Sequence, residues 1–155
     1  MASKVKPIPD GAPVVTPRLV CRDPAAMIEF MKTVLGAEER MRLPGPDGTV
    51  GHAVMMMGTG MILIEADVPT LASRAPQPDG SSPVVIKVYV EDVDQAVERA
   101  VAAGSKVLIP IKDQFWGDRT AGVMDPSGHV WTFATRIEEP TEEEMRDGLA
   151  RLLKG

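Results

Sequence analysis

The chain has 155 residues, of which 44% are hydrophobic and 25% are charged, and its formal net charge is −5. This length and composition are typical of a single globular domain with a hydrophobic core. The negative charge does not favour nucleic-acid binding, and no apolar run is long enough to cross a membrane, so we expect neither partner. Cys21 is the single cysteine, which excludes disulfide frameworks and cysteine-rich zinc sites. No apolar leader follows the first methionine, and we expect a cytoplasmic protein.

The first part of the chain, about residues 13–67, predicts a strand, a helix and three further strands, which we call module one. Cys21 lies in the first strand, whose apolar setting predicts a buried thiol rather than a nucleophile. Asp23 can cap the helix, with Pro24 at its first position, and Gly36 can end it in the left-handed conformation. The later strands are expected near residues 38–43, 51–57 and 61–66.

The same order of elements returns in about residues 83–136, which we call module two. A segment rich in Pro, Ser, Gly and Asp precedes it, over about residues 68–82, and is expected to be a linker. Asp92 and Gln95 form a possible capping box at the start of the second helix. A third helix, about residues 141–153, follows module two. The strands of module two are expected near residues 106–110, 120–124 and 130–134.

The two modules also resemble each other in sequence. Asp23 corresponds to Asp92 (92 − 23 = 69), and Gly60 corresponds to Gly128 (128 − 60 = 68). Neither module can bury both faces of its sheet alone. We therefore expect residues 1–155 to form one α+β domain, in which two βαβββ modules with pseudo-two-fold symmetry make a curved mixed sheet around a cavity. Concave cavities of this kind are the usual binding sites for small molecules.

Four stretches of the chain resemble a known family. They are VKPIPDG, TPRLVCRDPAAMIEFMKTVLGAEE, YVEDVDQAVERAVAAG and DQFWGDRTAGVMDPSGHVWTFATR. These stretches are similar to the vicinal oxygen chelate superfamily, which includes glyoxalase I, bleomycin-resistance proteins and extradiol dioxygenases, and more narrowly to its PhnB-like branch. The resemblance covers about residues 5–136. It implies two βαβββ modules, a binding cavity and a homodimer.

Metal-using members of this superfamily hold the metal with His or Glu in the first and last strands of each module. The resemblance places these four positions at Thr16, Ile64, Val85 and Thr132. A threonine hydroxyl is a weak metal donor, and valine and isoleucine offer none, whereas a catalytic zinc site needs about three protein ligands. We therefore expect no metal and no other cofactor. A displaced metal site that uses His52 remains open.

Strand alternation predicts which side chains line the cavity. If Ile64 faces inward, its neighbour Glu65 points away. The positively charged side chains expected in this lining, Arg18 and Lys87, would require either an anionic group on the ligand or nearby carboxylates such as Glu65, Glu91 or Asp118. Alternatively, both cations extend to the cavity rim. If Thr16, Val85 and Thr132 face inward, the lining includes Arg18, Lys87 and Tyr89.

A second candidate feature is the aromatic loop that precedes the strand near residues 120–124. Phe115, Trp116 and Arg119 lie at the end of this loop, where aromatic side chains give flat apolar contact area at a pocket rim. Packing within the loop or at an interface is the alternative. The candidate ligand-binding residues are Thr16, Arg18, His52, Ile64, Val85, Lys87, Tyr89, Phe115, Trp116, Arg119 and Thr132.

Three functions remain open at this point. The first is a metal-independent binding protein that sequesters a drug or metabolite, with an aromatic or amphipathic ligand and a homodimeric assembly. The second is a lyase or isomerase of the same superfamily, either metal-free with Tyr89, Lys87 or His52 in acid–base roles or with a displaced metal. The third is a structural or regulatory dimer with a vestigial cavity. The sequence assigns no catalytic residue and no particular ligand.

Overall fold

The structure is a computed structural model that describes residues 5–69, 74–77, 79 and 82–155. Module one and module two each have the order βαβββ, and a third helix follows, as the sequence predicts. The linker expected at about residues 68–82 lies partly outside the described residues. The elements are β1 (Arg18–Cys21), α1 (Pro24–Leu35), β2 (Glu38–Pro44), β3 (Val50–Met57), β4 (Gly60–Ala66), β5 (Val85–Tyr89), α2 (Val93–Ala102), β6 (Lys106–Asp113), β7 (Asp118–Met124), β8 (Val130–Arg136) and α3 (Glu142–Lys154).

Each module forms one four-stranded mixed sheet, in the orders β1-β4-β3-β2 and β5-β8-β7-β6. In both sheets the first strand pairs in parallel with the last strand, and the other pairs are antiparallel. Arg18 lies opposite Leu63 in the first sheet, and Lys87 lies opposite Thr132 in the second. The repeat seen in the sequence is therefore a repeat of topology and register.

The helices begin at the capping residues that the sequence indicates, although at α2 the Gln95 side chain donates to the Asp92 carboxylate at 3.1 Å, so only the Asp92 half of the expected capping box is present. The Asp23 carboxylate accepts a hydrogen bond from the backbone N–H of Ala26 at 3.0 Å. Gly36 ends α1 with a φ of 65°, a left-handed conformation that favours glycine. The Asp92 carboxylate accepts a hydrogen bond from the backbone N–H of Gln95 at 3.1 Å at the start of α2. These caps fix the residues at which α1 begins and ends and at which α2 begins.

One continuous core joins the two modules. Helices α1 and α2 contact each other, and each packs on one face of its own sheet. Burial of side chains as large as those of this core stabilises a fold by roughly 1.5–3 kcal/mol each. Cys21 lies in the same core, and burial raises the pKa of its thiol to about 12, so the thiol stays protonated. The largest fully buried side chains include Trp131, Phe133, Met27, Ile28 and Met31.

The β7–β8 hairpin is closed by the buried side chain of Asp125. Its carboxylate accepts hydrogen bonds from the backbone N–H groups of Ser127 and His129 at 2.9 and 3.0 Å, and from Trp131 Nε1 at 2.7 Å. His129 Nε2 also donates a hydrogen bond to the carbonyl oxygen of Val20 at 2.9 Å. The hairpin of module two is thereby attached to the first strand of module one.

The opposite face of each sheet, which we call its open face, is not packed against a helix in the described part of the chain. Helix α3 lies instead beside the loop before β7, where Gly148 is buried against the ring of Phe115. Among the helices that the structure describes, none is long and apolar enough to cross a membrane. The open faces carry exposed polar side chains of β1 and β5, such as Arg18 and Lys87.

Candidate functional site

The open face of module two carries a buried carboxylate, Asp118, at the start of β7. This side chain is only 2% exposed. Its Oδ2 accepts hydrogen bonds from Lys87 Nζ at 2.6 Å, from the Tyr89 hydroxyl at 3.0 Å and from Trp116 Nε1 at 3.1 Å. We call these four residues the Asp118 cluster. Three donors from two separate segments thus converge on one oxygen atom.

Strand geometry and one glycine explain this convergence. Lys87 and Tyr89 are two residues apart in β5, so their side chains lie on the same face of the sheet. Trp116 reaches Asp118 across Gly117, whose φ of 93° is unfavourable for any other residue. A Cβ at Gly117 would also clash with the backbone of Glu138. The Trp-Gly-Asp run therefore positions both the indole and the carboxylate.

The hydrogen bonds of the cluster keep its charges in place. Burial raises the pKa of Asp118, but the bonds from Lys87 and Tyr89 and the Lys87 charge outweigh it and hold this pKa below its ordinary value. Burial likewise opposes the charge of Lys87, yet the bonds to Asp118 and Tyr89 raise the pKa of Lys87 overall. Both groups are therefore ionised at neutral pH, and together they are close to neutral.

Two members of the cluster remain accessible to a ligand. The Lys87 side chain is 42% exposed and Tyr89 is 58% exposed. Lys87 Nζ also donates to the Tyr89 hydroxyl at 3.1 Å and lies 4.6 Å from the centre of the Tyr89 ring. A cleft of about 590 Å³ brings both residues beside Pro17 and Met61 of module one. The site therefore combines an ion pair, a phenol and apolar surface from both modules.

The open face of module one has an ion cluster of its own. Arg18 Nε lies 3.1 Å from Glu65 Oε2, and His52 Nδ1 lies 3.5 Å from Glu65 Oε1. Arg18 and Lys87 occupy equivalent strand positions (87 − 18 = 69), because each lies opposite the equivalent residue of its parallel partner strand. Each open face thus carries one cation beside one carboxylate. The sequence allowed nearby carboxylates as partners for the two cations, and the structure contains these partners.

Comparison with known proteins agrees with this fold. A sequence model of the Glyoxalase/Bleomycin resistance protein/Dioxygenase superfamily matches residues 13–133. The chain belongs to this superfamily. It is 36% identical over 141 residues to Uncharacterized protein Rv0887c of Mycobacterium tuberculosis, an alignment that covers 89% of this chain and 83% of the relative.

Two solved structures show the same architecture. TioX from Micromonospora sp. ML1 is 28% identical, with a TM-score of 0.64 and coverage of 81% of this chain and 100% of that chain. A glyoxalase/bleomycin resistance protein/dioxygenase from Nocardioides is 25% identical, with a TM-score of 0.60 and coverage of 84% and 87%. The βαβββ modules of this chain are thus those of the superfamily.

One residue expected in the cavity lies on the other side of its sheet. Ile64 is fully buried in the core beneath α1, so the prediction that it lines the cavity is wrong. The β7–β8 hairpin is one residue longer than the β3–β4 hairpin, since Met55 pairs with Ile62 (62 − 55 = 7) but Val123 pairs with Trp131 (131 − 123 = 8). A shift of one residue exchanges the two faces of a strand.

The corrected register changes two assignments in β4. Leu63, not Ile64, is the counterpart of Thr132 in the superfamily's ligand positions. Glu65, which was expected to point away from the cavity, lies on the open face with Arg18 and His52. The open face of module one is therefore more polar than the sequence indicated.

Arg119 and Phe115 also lie away from the Asp118 cluster. Arg119 Nε donates to Asp94 of α2 at 2.8 Å, and its Nη1 donates to Asp113 at 2.7 Å. Arg119 therefore points to the side of the sheet that α2 covers, and the expectation that it lines the cavity is wrong. Phe115 packs edge-on against Trp116, with ring centres 4.9 Å apart, and against Gly148. This is the packing role left open above, and direct ligand contact by Phe115 stays a prediction.

The residues present do not fit the superfamily's metal. Thr16 is half-buried before β1, Val85 is exposed, and Thr132 is half-buried. His52 and Glu65 are two possible ligands, but Glu65 is paired with Arg18, whose positive charge opposes a metal cation. Within the described ranges, no three His, Cys, Asp or Glu side chains come together as a metal-binding group.

Sequence reasoning missed Asp118 as the centre of the site and considered it only as a partner for the cations. Alternation in β7 indicates that Asp118, Thr120 and Gly122 share one face, which is the open face. The signal that could have found Asp118 is a carboxylate at the start of an inward-facing strand, directly after an aromatic residue and glycine. The contacts with β5 could not be read from the sequence.

Proposed function

We propose that this member of the superfamily binds a small organic molecule, without a metal, on the open face of module two. The observation that supports this most strongly is the Asp118 cluster. A carboxylate this deeply buried is unfavourable unless it is paired. Here a lysine, a phenol and an indole all donate hydrogen bonds to it. The same donors keep exposed surface on an uncovered sheet face, which is where a ligand can reach them.

The charges of the site favour one class of ligand. Asp118 compensates Lys87, and Glu65 compensates Arg18, so neither open face presents an isolated cation. A ligand with adjacent hydrogen-bond donors and acceptors matches such a pair better than a simple anion does. Trp116, Tyr89 and Met61 add flat or flexible apolar surface. We therefore propose an aromatic or amphipathic ligand with a strongly hydrogen-bonding group, consistent with sequestration of a drug or metabolite.

Three further assignments belong to the same proposal. The motif DQFWGDRTAGVMDPSGHVWTFATR supports the PhnB-like branch of the superfamily. The use of a single cysteine supports a cytoplasmic location, and the net charge of −5 does not favour a nucleic-acid partner. Members of this superfamily are often dimers, and the exposed apolar side chains of β2 and β6, such as Leu43 and Ile109, support a homodimer here.

The alternative function is a metal-free lyase or isomerase at the same site. It is favoured by the Tyr89 hydroxyl, which lies between a cation and a carboxylate and could exchange a proton with a bound molecule. Binding without reaction is distinguished from this alternative by Tyr89→Phe. If the wild-type protein converts its ligand to a product, and Tyr89→Phe binds the ligand but does not convert it, the protein is an enzyme and not only a binding protein.

The experiment begins with a thermal-shift screen of drugs and metabolites to find a ligand. Calorimetric titration then compares the wild type with Asp118→Asn and with a matched control, Glu65→Gln, which changes the carboxylate of module one. We expect Asp118→Asn to weaken binding by at least about tenfold, or ~1.4 kcal/mol, and Glu65→Gln to change it by less than about threefold. Equal affinity of Asp118→Asn and the wild type for the ligand would show that the ligand does not bind at the Asp118 cluster.

Elemental analysis of the purified protein tests metal independence separately. We expect far less than one bound divalent metal per chain. One tightly held Zn, Ni, Mn or Fe per chain that is lost in His52→Ala would overturn this part of the proposal and establish a displaced metal site.

A further inference from the structure

The hydrogen-bonding roles of Lys87 and Tyr89 follow from the partner that they share. The Asp118 carboxylate is ionised and can only accept hydrogen bonds, whereas the Lys87 ammonium can only donate them. The Tyr89 hydroxyl lies 3.0 Å from Asp118 Oδ2 and 3.1 Å from Lys87 Nζ. Its one proton is therefore donated to Asp118, and its oxygen accepts a hydrogen bond from Lys87.

This assignment leaves one donor and one acceptor side by side for a ligand. Lys87 Nζ has three N–H groups, of which one is donated to Asp118 at 2.6 Å and one to Tyr89. Within the described ranges of the chain, the third N–H has no partner, and the second lone pair of the Tyr89 oxygen has none either. Both side chains are exposed to solvent. A ligand thus meets an N–H donor and an oxygen acceptor on atoms that are 3.1 Å apart.

The surroundings of this donor and acceptor favour a flat, uncharged ring. The indole of Trp116 is half-buried beside the same carboxylate. Phe115 packs edge-on against this indole, at an angle of 88° between the ring planes, and so holds its orientation. Pro17 and Met61 add apolar surface in the cleft. An aromatic ring can pack on such surfaces while its edge meets the two polar groups.

We infer that the ligand presents the edge of a neutral lactam in an aromatic ring system, whose carbonyl oxygen accepts from Lys87 and whose N–H donates to the Tyr89 oxygen. A ring holds these two groups of a lactam side by side, as the protein atoms are. A carboxylate fits less well, because one of its oxygens would face the Tyr89 lone pair and its charge would lie near Asp118. The inference rests on the binding function proposed above and names the chemical group that the site selects.

Three small probe molecules test this selection. The first, 2-quinolone, carries the lactam, N-methyl-2-quinolone lacks only its donor, and quinoline-2-carboxylate presents two anionic acceptors. Titration of the 15N-labelled wild-type protein, followed by its amide resonances, measures each dissociation constant. We expect 2-quinolone to bind at least about fivefold more tightly than either of the others. Equal affinities of 2-quinolone and its N-methyl derivative, tighter binding of the carboxylate, or no binding of 2-quinolone would each overturn the inference.

Substitutions test which protein atom meets which ligand atom. Tyr89→Phe should weaken 2-quinolone about fivefold more than it weakens N-methyl-2-quinolone, whereas Lys87→Met should weaken both probes, because both keep the carbonyl. Lys32→Met is the matched control, since it removes a lysine of α1 that is also 42% exposed and should weaken neither probe. Equal weakening of both probes by Tyr89→Phe, with the Trp131 indole resonance in place as a sign of an intact core, would overturn the assignment.

Failure of this inference can be told apart from failure of the binding function. A ligand from the thermal-shift screen that loses affinity in Asp118→Asn, yet has no N–H donor beside its acceptor, would leave the site in place and overturn the lactam assignment alone. A ligand that binds equally well to Asp118→Asn would overturn both. A screen ligand that contains the lactam edge, and that loses affinity when its nitrogen is methylated, is the expected result.

Discussion

The two open faces share a cation–carboxylate pair but differ in how deeply the carboxylate is buried and in what it contacts. Each has a cation at the equivalent position of its first strand, Arg18 in β1 and Lys87 in β5, and each cation is paired with a carboxylate. In module one the carboxylate, Glu65, is 18% exposed and its other neighbour is His52. In module two the carboxylate, Asp118, is 2% exposed and is held by three donors.

The difference arises from a loop rather than from the sheets. Asp118 begins β7 and is reached by Trp116 across the left-handed Gly117, whereas the equivalent positions of module one hold Thr49, which is not left-handed, and Val50, which is not a carboxylate (118 − 68 = 50). This loop adds an indole and removes water from the carboxylate. Module one therefore has an ion pair with a partly exposed carboxylate, whereas module two has an ion pair with a buried carboxylate, which is the proposed ligand site.

The largest expected effect is on stability, and it should differ between the modules. Asp118→Ala removes the shared acceptor of three donors and should lower the free energy of unfolding by roughly 2–3 kcal/mol, less than for a fully buried pair because Lys87 can reach water. Glu65→Ala should lower it by less than about 1 kcal/mol. Urea denaturation monitored by circular dichroism measures both. Equal losses in the two variants would remove the distinction between the open faces.

The next effect is on ligand affinity. Trp116→Ala removes both a flat apolar surface and a hydrogen bond to Asp118, and should weaken binding about tenfold, or ~1.4 kcal/mol. Met41→Ala, which shortens an exposed apolar side chain of module one, should have no effect on affinity. Calorimetric titration at fixed salt compares them. If the two variants bind alike, the ligand does not contact the Asp118 cluster.

The smallest effect is on pH dependence. Because the folded-state pKa of Asp118 is lowered, its contribution to stability is present above about pH 4, the ordinary pKa of aspartate, and is lost as the pH falls through the folded value. Lys87→Met removes the partner that lowers this pKa most, so the folded and unfolded pKa values of Asp118 approach each other and the loss of stability in acid should become smaller. Arg18→Met should leave the loss unchanged. Thermal unfolding between neutral and acidic pH measures the loss in each protein, and an identical pH dependence in all three proteins would contradict the account.

The order of the elements and the ends of the helices could be predicted because they depend on local residues. Asp23 and Asp92 cap helices, Gly36 ends one, and the two-residue spacing of Lys87 and Tyr89 puts both on one face. These features need no knowledge of which strands are neighbours. The α+β fold followed from them together with the repeat.

Two features could not be predicted in the same way: which side chains of β4 lie on the open face, and which residue is the centre of the site. Alignment of Gly60 with Gly128 concealed one additional residue in the β7–β8 hairpin, and that residue exchanges the roles of Ile64 and Leu63. Asp118 meets β5 only because β8 lies between β5 and β7 in the sheet. Such contacts follow from register and strand order, which a single sequence does not specify.

The two tryptophans offer the most direct test of the central claim that a ligand binds on the open face of module two. Trp116 Nε1 donates to Asp118 at the site, whereas Trp131 Nε1 donates to Asp125 within the core. The measurement is a two-dimensional 1H–15N spectrum of the indole N–H groups during titration with a ligand from the screen. The account predicts that the Trp116 resonance shifts in a saturable manner while the Trp131 resonance stays in place. A stationary Trp116 resonance in the presence of saturating ligand would contradict it.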